Sequence, residues 1–520
     1  MILTDFIINS AKQTPDKTAA IIKVGYRNVE LSYQDIYKMA KSTAVFLKEQ
    51  DIGVGDKVLL LAPNSPNWLC VYWGCLLNGS VLVPLNTQST GEMINKIAKQ
   101  TEAKIIFSNN KFTEDITDEL AVYQVEDLQQ TIESYKDNEF VPVTATEEDI
   151  AIIMYTSGTT GDPKGVLLSH KNVISNVIAV SEAIPVDDTD VFLSILPLSH
   201  IYEQVIGFLL PCYKSAKIVY AHVPTAISDL LKEHHVTKML GVPEFLSIVM
   251  SKIEAKAEED GKKELMQKMM KISNTIKIRL LQRLLFSSVH KSFGGKLRIV
   301  ASGGAPLDPK LEDKWNALGI TLLQGYGLTE TSPVVSMNTL MAHRRGSIGK
   351  VLSGVEVKIA DDGEILVKGP SVFQGYYKNT EKTKEAFTED GWFKTDDLGK
   401  IDSDGYIYIN GRKRYMILGP GGQNVFPEDI EQKLNELSEI KDSCVIGLEK
   451  ESGRVEIHAV LLFEKDNNST SEELVQRTNE QLASYQQIAN WSVWKEEDFP
   501  RSATRKVKKG EIIKRIHAER

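Results

Sequence analysis

At 155–166 the chain reads YTSGTTGDPKGV, a run holding three glycines, four aliphatic hydroxyls and one lysine. Glycine lets backbone N–H groups approach an anion closely, and hydroxyls with a lysine complete a cradle for phosphate. A Walker-type loop counted from Gly158 needs Gly, Lys and Ser or Thr at 163–165. The chain has Pro163, Lys164 and Gly165 there, so the pattern fails twice. On composition alone the run would serve equally as a surface turn.

Further groups able to do chemistry follow in order: LPLSHIY at 196–202, SGGAP at 302–306 and GYGLTETS at 325–332. TDD at 395–397, GR at 411–412 and PRSATRK at 500–506 complete the series. In order and spacing, across nearly the whole chain, these motifs closely resemble those of the adenylate-forming superfamily. That superfamily includes acyl-CoA synthetases, firefly-type luciferases and nonribosomal-peptide adenylation domains. The resemblance implies attack of a carboxylate on the α-phosphate of ATP, release of pyrophosphate, and transfer of the acyl group from acyl-AMP to a thiol. Such a step gathers negative charge, so cations and N–H donors must be aimed at it, and losing one such donor costs about 10²–10³ in rate.

The resemblance assigns roles residue by residue. Thr156, Ser157, Gly158, Thr159, Thr160, Gly161 and Lys164 would close over the β- and γ-phosphates. Gly304, Ala305, Pro306, Gly325, Tyr326 and Gly327 would form the adenine pocket, and Thr329 would bind the α-phosphate. Glu330, with Thr156, would hold Mg²⁺, a hard cation suited to oxygen ligands. Asp397 would take the ribose hydroxyls with Arg412 beside it; Asp396 stands where the superfamily more often has Gly. Arg414 occupies the hinge position. Lys506 resembles the adenylation lysine, with Lys508 as its rival, and Gly421 and Gly422 in the 419–424 loop would line the thiol tunnel. His200 resembles the residue at the acyl-pocket wall.

No acid stands where an amino-acid substrate would need one. The segment 261–291 carries eight Lys or Arg and one acid among many aliphatic residues. It is similar to the inserted helices of long-chain fatty acyl-CoA synthetases, and a basic amphipathic helix can lie on an anionic membrane. The expected substrates are therefore a medium- to long-chain fatty acid, ATP with Mg²⁺, and CoA. The rival acceptor is an acyl carrier protein, served by a fatty acyl-AMP ligase. A luciferase-type oxidative enzyme and an inactive scaffold relative are further readings.

Short apolar runs at 57–62, 80–84, 152–154, 217–220 and 297–301 read as buried strands, with helical patterns such as 68–77 between them. Alternation of this kind predicts α/β layers with parallel sheets. After Gly346, glycine-punctuated strands at 355–359 and 364–367 predict a small β-rich subdomain at about 346–411. A helix is expected from Pro427, where Ile430, Leu434 and Leu437 fall at helical spacing behind first-turn acids. The expected fold is α/β: a large N-terminal domain of layered α/β subdomains over 1–411, then a small mobile α+β domain over 412–520 with its hinge near 412–414.

A chain of 520 residues exceeds one ordinary core. Its net charge of −9 argues against a nucleic-acid partner. Four scattered cysteines read as reduced, buried thiols. The first residues do not resemble a signal peptide, and no apolar run reaches 18 residues. The expected location is cytoplasmic, either free or against the inner face of a membrane.

Overall fold

The computed structural model describes residues 1–112, 116, 119–157, 163–221, 223–276, 278–418, 424–449, 455–464, 470–501 and 507–518. The chain divides into two compact units, one of Met1–Glu356 with Lys368–Gly391, the other of Val357–Val367 with Trp392–Arg520.

The first unit contains two large sheets built from apolar runs. Strand Lys57–Leu61 (KVLLL) and strand Val81–Pro84 (VLVP) have almost every side chain buried, the signature of strands covered on both faces. They belong to a seven-stranded sheet whose remaining members are Ala121–Gln124, Ile105–Ser108, Ile150–Ser157, Pro163–Ser169 and Gly375–Tyr376. All pairs are parallel except those made by Pro163–Ser169, which is antiparallel to both its neighbours. Helix Pro66–Leu77 begins two residues before its expected start, because the Ser65 side chain accepts from Trp68 N and Pro66 fits the first turn. Its Trp68, Tyr72 and Trp73 meet Phe208 edge to face with ring centroids 4.9–6.2 Å apart.

A nine-stranded sheet holds six consecutive parallel strands in the order Thr18–Val24, Lys217–Tyr220, Val191–Ser194, Lys238–Gly241, Ile299–Ser302 and Thr321–Gly327. Antiparallel strands flank them, Arg27–Ser32 on one side and Val334–Met337 on the other. The strand expected at 297–301 begins at Ile299, where its ladder opposite Lys238 starts.

The second unit opens with a four-stranded sheet of Glu364–Lys368, Phe393–Ile401 and Ile407–Arg412 with Glu356–Ile359 at its edge. A three-stranded sheet of Ile440–Glu449, Val455–Phe463 and Asn490–Val493 follows. Helix Pro427–Asn435 starts at the expected proline and buries Ile430 and Leu434 in that unit's core. The molecule is thus α/β with a large N-terminal part and a small α+β C-terminal part. All four cysteines are free and buried, and burial pushes the Cys75 thiol up to about 12. Among the described residues, no helix is long and apolar enough to cross a membrane.

Candidate active site

Parallel strands deliver their C-terminal loops to one edge of a sheet, the usual place for a ligand in α/β folds. In the nine-stranded sheet those loops carry three of the motifs. His200 follows Val191–Ser194, the 304–306 turn follows Ile299–Ser302, and Thr329 and Glu330 follow Thr321–Gly327. Loops from the seven-stranded sheet meet the first of them. Asn64, just past Lys57–Leu61, donates to Ser194 Oγ at 3.0 Å and Leu196 O at 2.7 Å, and accepts from Leu198 N at 2.8 Å. One amide therefore holds the 194–198 segment at three points. Asn86, past Val81–Pro84, places its Nδ2 3.4 Å from His200 Nε2.

The turn bearing Thr329 and Glu330 is built by local necessity. A Cβ at Gly327 would sit 1.7 Å from Pro333 O, so only glycine permits the chain to fold back there. Thr331 Oγ1 then donates to Pro333 O at 2.6 Å, and Phe373 N donates to Glu330 O at 2.8 Å. Gly304 has φ +82°, where glycine is favoured, and Tyr326 is half-buried opposite Ser336.

The two ends of the 155–166 run lie on adjacent strands, Ile150–Ser157 and Pro163–Ser169. Thr156 pairs with Lys164 and Ser157 with Pro163 across antiparallel strands. A P-loop joins a strand to a helix, so the topology as well as the spacing separates the two. Gly158, Thr159, Thr160 and Gly161 lie outside the described residues. A Cβ at Gly165 would meet Ile153 Cγ2 at 2.8 Å, which keeps the hairpin close to its sheet. Lys164 Nζ stands 5.4 Å from the centre of the Tyr376 ring, and Tyr376 Oη donates to Glu330 Oε1 at 2.9 Å. Cation, ring and carboxylate thus stand in series without a direct ion pair. Among the described residues the lysine has no ion-pair partner, while the carboxylate is oriented.

Glu330 is half-buried, and among the described residues its Oε2 has no hydrogen-bond partner. A carboxylate oxygen held on one side and open on the other fits a Mg²⁺ ligand, as does the hydroxyl of Thr156. The strand Pro163–Ser169 packs on the turn that carries Glu330.

In the second unit, Asp397 and Arg412 face each other across a strand pair, with Arg412 Nε 3.0 Å from Asp397 Oδ1. Asp396 has φ +61°, a conformation that favours glycine. That accounts for the glycine more common at this position, and here Arg414 Nε compensates at 2.9 Å from Asp396 Oδ2. Burial pushes the Asp396 carboxyl up, against the pull of Arg414 and Arg412. Lys506, Gly421 and Gly422 lie outside the described residues. Of the lysines beside Lys506, Lys508 is exposed and pairs with Glu511 at 2.9 Å. Lys509 is largely buried and pairs with Glu431 at 2.7 Å, which removes it from any solvated basic face.

Sequence reasoning missed Asn64, Asn86 and Tyr376. None stands in a motif, and each reaches the site from 46 to 134 positions away along the chain. No spacing rule spans such separations.

The chain matches the family of AMP-binding enzymes over residues 8–377. The long-chain-fatty-acid–CoA ligase FadD15 of Mycobacterium bovis is 29% identical over 78% of this chain and 73% of its own length. The malonate–CoA ligase of Arabidopsis thaliana is 28% identical over 89% of this chain and 78% of its own. Among solved structures, ATP-bound MatB from Rhodopseudomonas palustris superposes with a TM-score of 0.83 at 25% identity, covering 99% of both chains.

Proposed function

This chain belongs to the AMP-binding enzyme family and is an adenylate-forming acid–CoA ligase, and from that premise we propose that its acid is a medium- to long-chain fatty acid. The observation that carries this reading is the character of the segment leaving His200. Ile201, Val205, Ile206, Phe208 and Leu209 are all buried there. Glu203, the one carboxyl among them, is pushed up to about 8 by burial, against the pull of Ser194 and the Leu196 backbone. A second carboxylate on the substrate, such as malonate carries, would need a buried cation. Among the described residues of the first unit, no arginine is buried and the one buried lysine, Lys238, is ion-paired with Asp190.

In the first step a carboxylate oxygen of the acid attacks the α-phosphorus of ATP, and the bond to the β-phosphate oxygen breaks with loss of pyrophosphate. Lys164, Thr156 and the hairpin hold the leaving phosphates, Thr329 binds the α-phosphate, and Lys506 bridges carboxylate and α-phosphate. Glu330 and Thr156 are the ligands of a Mg²⁺ that neutralises phosphate charge when bound. Gly304–Pro306 and Gly325–Gly327 hold the adenine with Tyr326, and Asp397 with Arg412 takes the ribose hydroxyls. In the second step the residues from 412 onward turn about Arg414. The CoA thiol, entering past Gly421 and Gly422, gives up its proton, attacks the acyl carbon and expels AMP.

The test is pyrophosphate release with Mg·ATP and acids of graded length, with and without CoA. Multiple turnovers with CoA that peak at a medium or long chain are expected. A peak with a dicarboxylate would refute the substrate, and a single burst that CoA does not extend would move the acceptor to a carrier protein.

A further inference from the structure

One face of a single helix fastens the turn that carries Glu330. Strand Pro163–Ser169, which bears Lys164, runs directly into helix His170–Ala183. Ser169 caps that helix: its Oγ accepts from Asn172 N at 3.2 Å, and Asn172 Oδ1 accepts from Ser169 N at 2.9 Å. Asn172 and Asn176 are buried, 5% and 0% exposed, and being four residues apart they share one face of the helix. Asn172 Nδ2 donates to Pro370 O at 2.8 Å and to Val372 O at 2.9 Å. Asn176 Nδ2 donates to Val334 O at 2.7 Å, while its Oδ1 accepts from Val334 N at 3.2 Å.

Each of these partners borders the candidate site. Val334 directly follows the 329–333 turn and pairs with Gly327, where the chain enters it. Pro370 and Val372 lead into Phe373, whose N–H holds Glu330 O, and into Tyr376, whose hydroxyl holds the Glu330 carboxylate. Tyr376 in turn pairs with Val166, and Tyr377 N donates to Gly165 O at 2.7 Å, back on the strand of Lys164. Hydrogen bonds thus close a circuit from Lys164 through the helix to Glu330 and Tyr376 and back. Buried amides stabilise many folds; these two differ in what they hold, because beyond the Ser169 cap their bonds end on the two segments that flank Glu330. We infer that Asn172 and Asn176 are positioning residues for acyl-AMP formation, which set the Glu330 carboxylate and the Tyr376 ring relative to Lys164. They touch no reacting atom, and the inference rests on the proposed roles of Lys164 and Glu330 toward Mg·ATP. Acyl transfer to CoA expels AMP after pyrophosphate has left, so it does not depend on that placement.

The test measures both half-reactions of the full chain in Asn172→Asp, Asn172→Ala and Asn176→Ala, together with calorimetric binding of Mg·ATP in the absence of acid. Asn172→Asp keeps an oxygen for the Ser169 N–H and removes only the donor to Pro370 and Val372, so it spares the helix cap. Acyl-AMP formation should fall about tenfold or more, and the Kd for Mg·ATP should rise about tenfold, because small misplacements of binding groups are costly. Conversion of preformed acyl-AMP and CoA to thioester should keep the wild-type rate. A variant that merely folds less well loses both half-reactions in the same proportion, so their ratio separates positioning from stability. A proportionate loss, or an unchanged Kd, would overturn the inference. Glu330→Gln is measured alongside. If it weakens Mg·ATP binding and the asparagine variants do not, the inference alone fails. If it binds Mg·ATP as the wild type does, the assignment of Glu330 fails and the inference falls with it.

Discussion

Tyr376 does two jobs with one side chain. Its ring faces Lys164 and its hydroxyl orients Glu330, so the cation and the carboxylate are kept near each other without neutralising each other. A hydrogen bond to a charged acceptor contributes about 1.5–3 kcal/mol. Tyr376→Phe should therefore lower kcat/KM for Mg·ATP about tenfold while leaving the thermal midpoint in place; an unchanged value would remove Tyr376 from the site. For Lys506→Ala the expected loss is about 10²–10³-fold in acyl-AMP formation. Conversion of preformed acyl-AMP to thioester should continue at the wild-type rate. Equal loss of both half-reactions would show that Lys506 is not the adenylation lysine.

Turns and strand ends, more than regular elements, place these groups. The turn at Asp396 shows how an unusual residue is tolerated: φ +61° strains any side chain, and the ion pair to Arg414 offsets part of the cost. Asp396→Ala keeps the strain and loses the pair, whereas Asp396→Gly loses both. The alanine variant should be less stable than the glycine variant by about 1 kcal/mol in urea unfolding. Equal stabilities would show that the turn relaxes. At this level the sequence was read well where local rules apply, as at the Pro427 helix start. It was read less well where a ladder sets the boundary, as at Ile299, because pairing partners lie far along the chain.

For the molecule as a whole, Glu203 links stability to pH. Its carboxyl is fully buried in the π-helical segment Glu203–Leu209, with a folded value near 8 against an ordinary 4.5. Below pH 4.5 both folded and unfolded chains hold the proton, and the group has no effect. Between 4.5 and 8 the unfolded chain releases a proton that the fold retains, so stability falls as pH rises, and above 8 the loss is complete. Glu203→Gln should therefore raise the unfolding free energy at pH 9, by an amount on the order of 5 kcal/mol, and leave it unchanged at pH 4. A constant difference across that range would mean that Glu203 ionises in the fold.

Residue identity and order along the chain were enough for the chemistry class. The order and spacing of the motifs at 155–166, 302–306, 325–332 and 395–397 carried the resemblance that implied it. They were enough also for the layered α/β fold, since apolar runs between helical patterns have few other ways to be buried. Folding decided how the pieces meet. Convergence of two sheet edges brought Asn64, Asn86 and Tyr376 to motifs far from them in sequence. Hydrogen bonds from Arg279, Gln282 and Arg283 turned the leucines of helix Arg279–Leu285 outward, against what its composition would lead one to expect. Both outcomes depend on contacts between distant segments, and no local pattern encodes those.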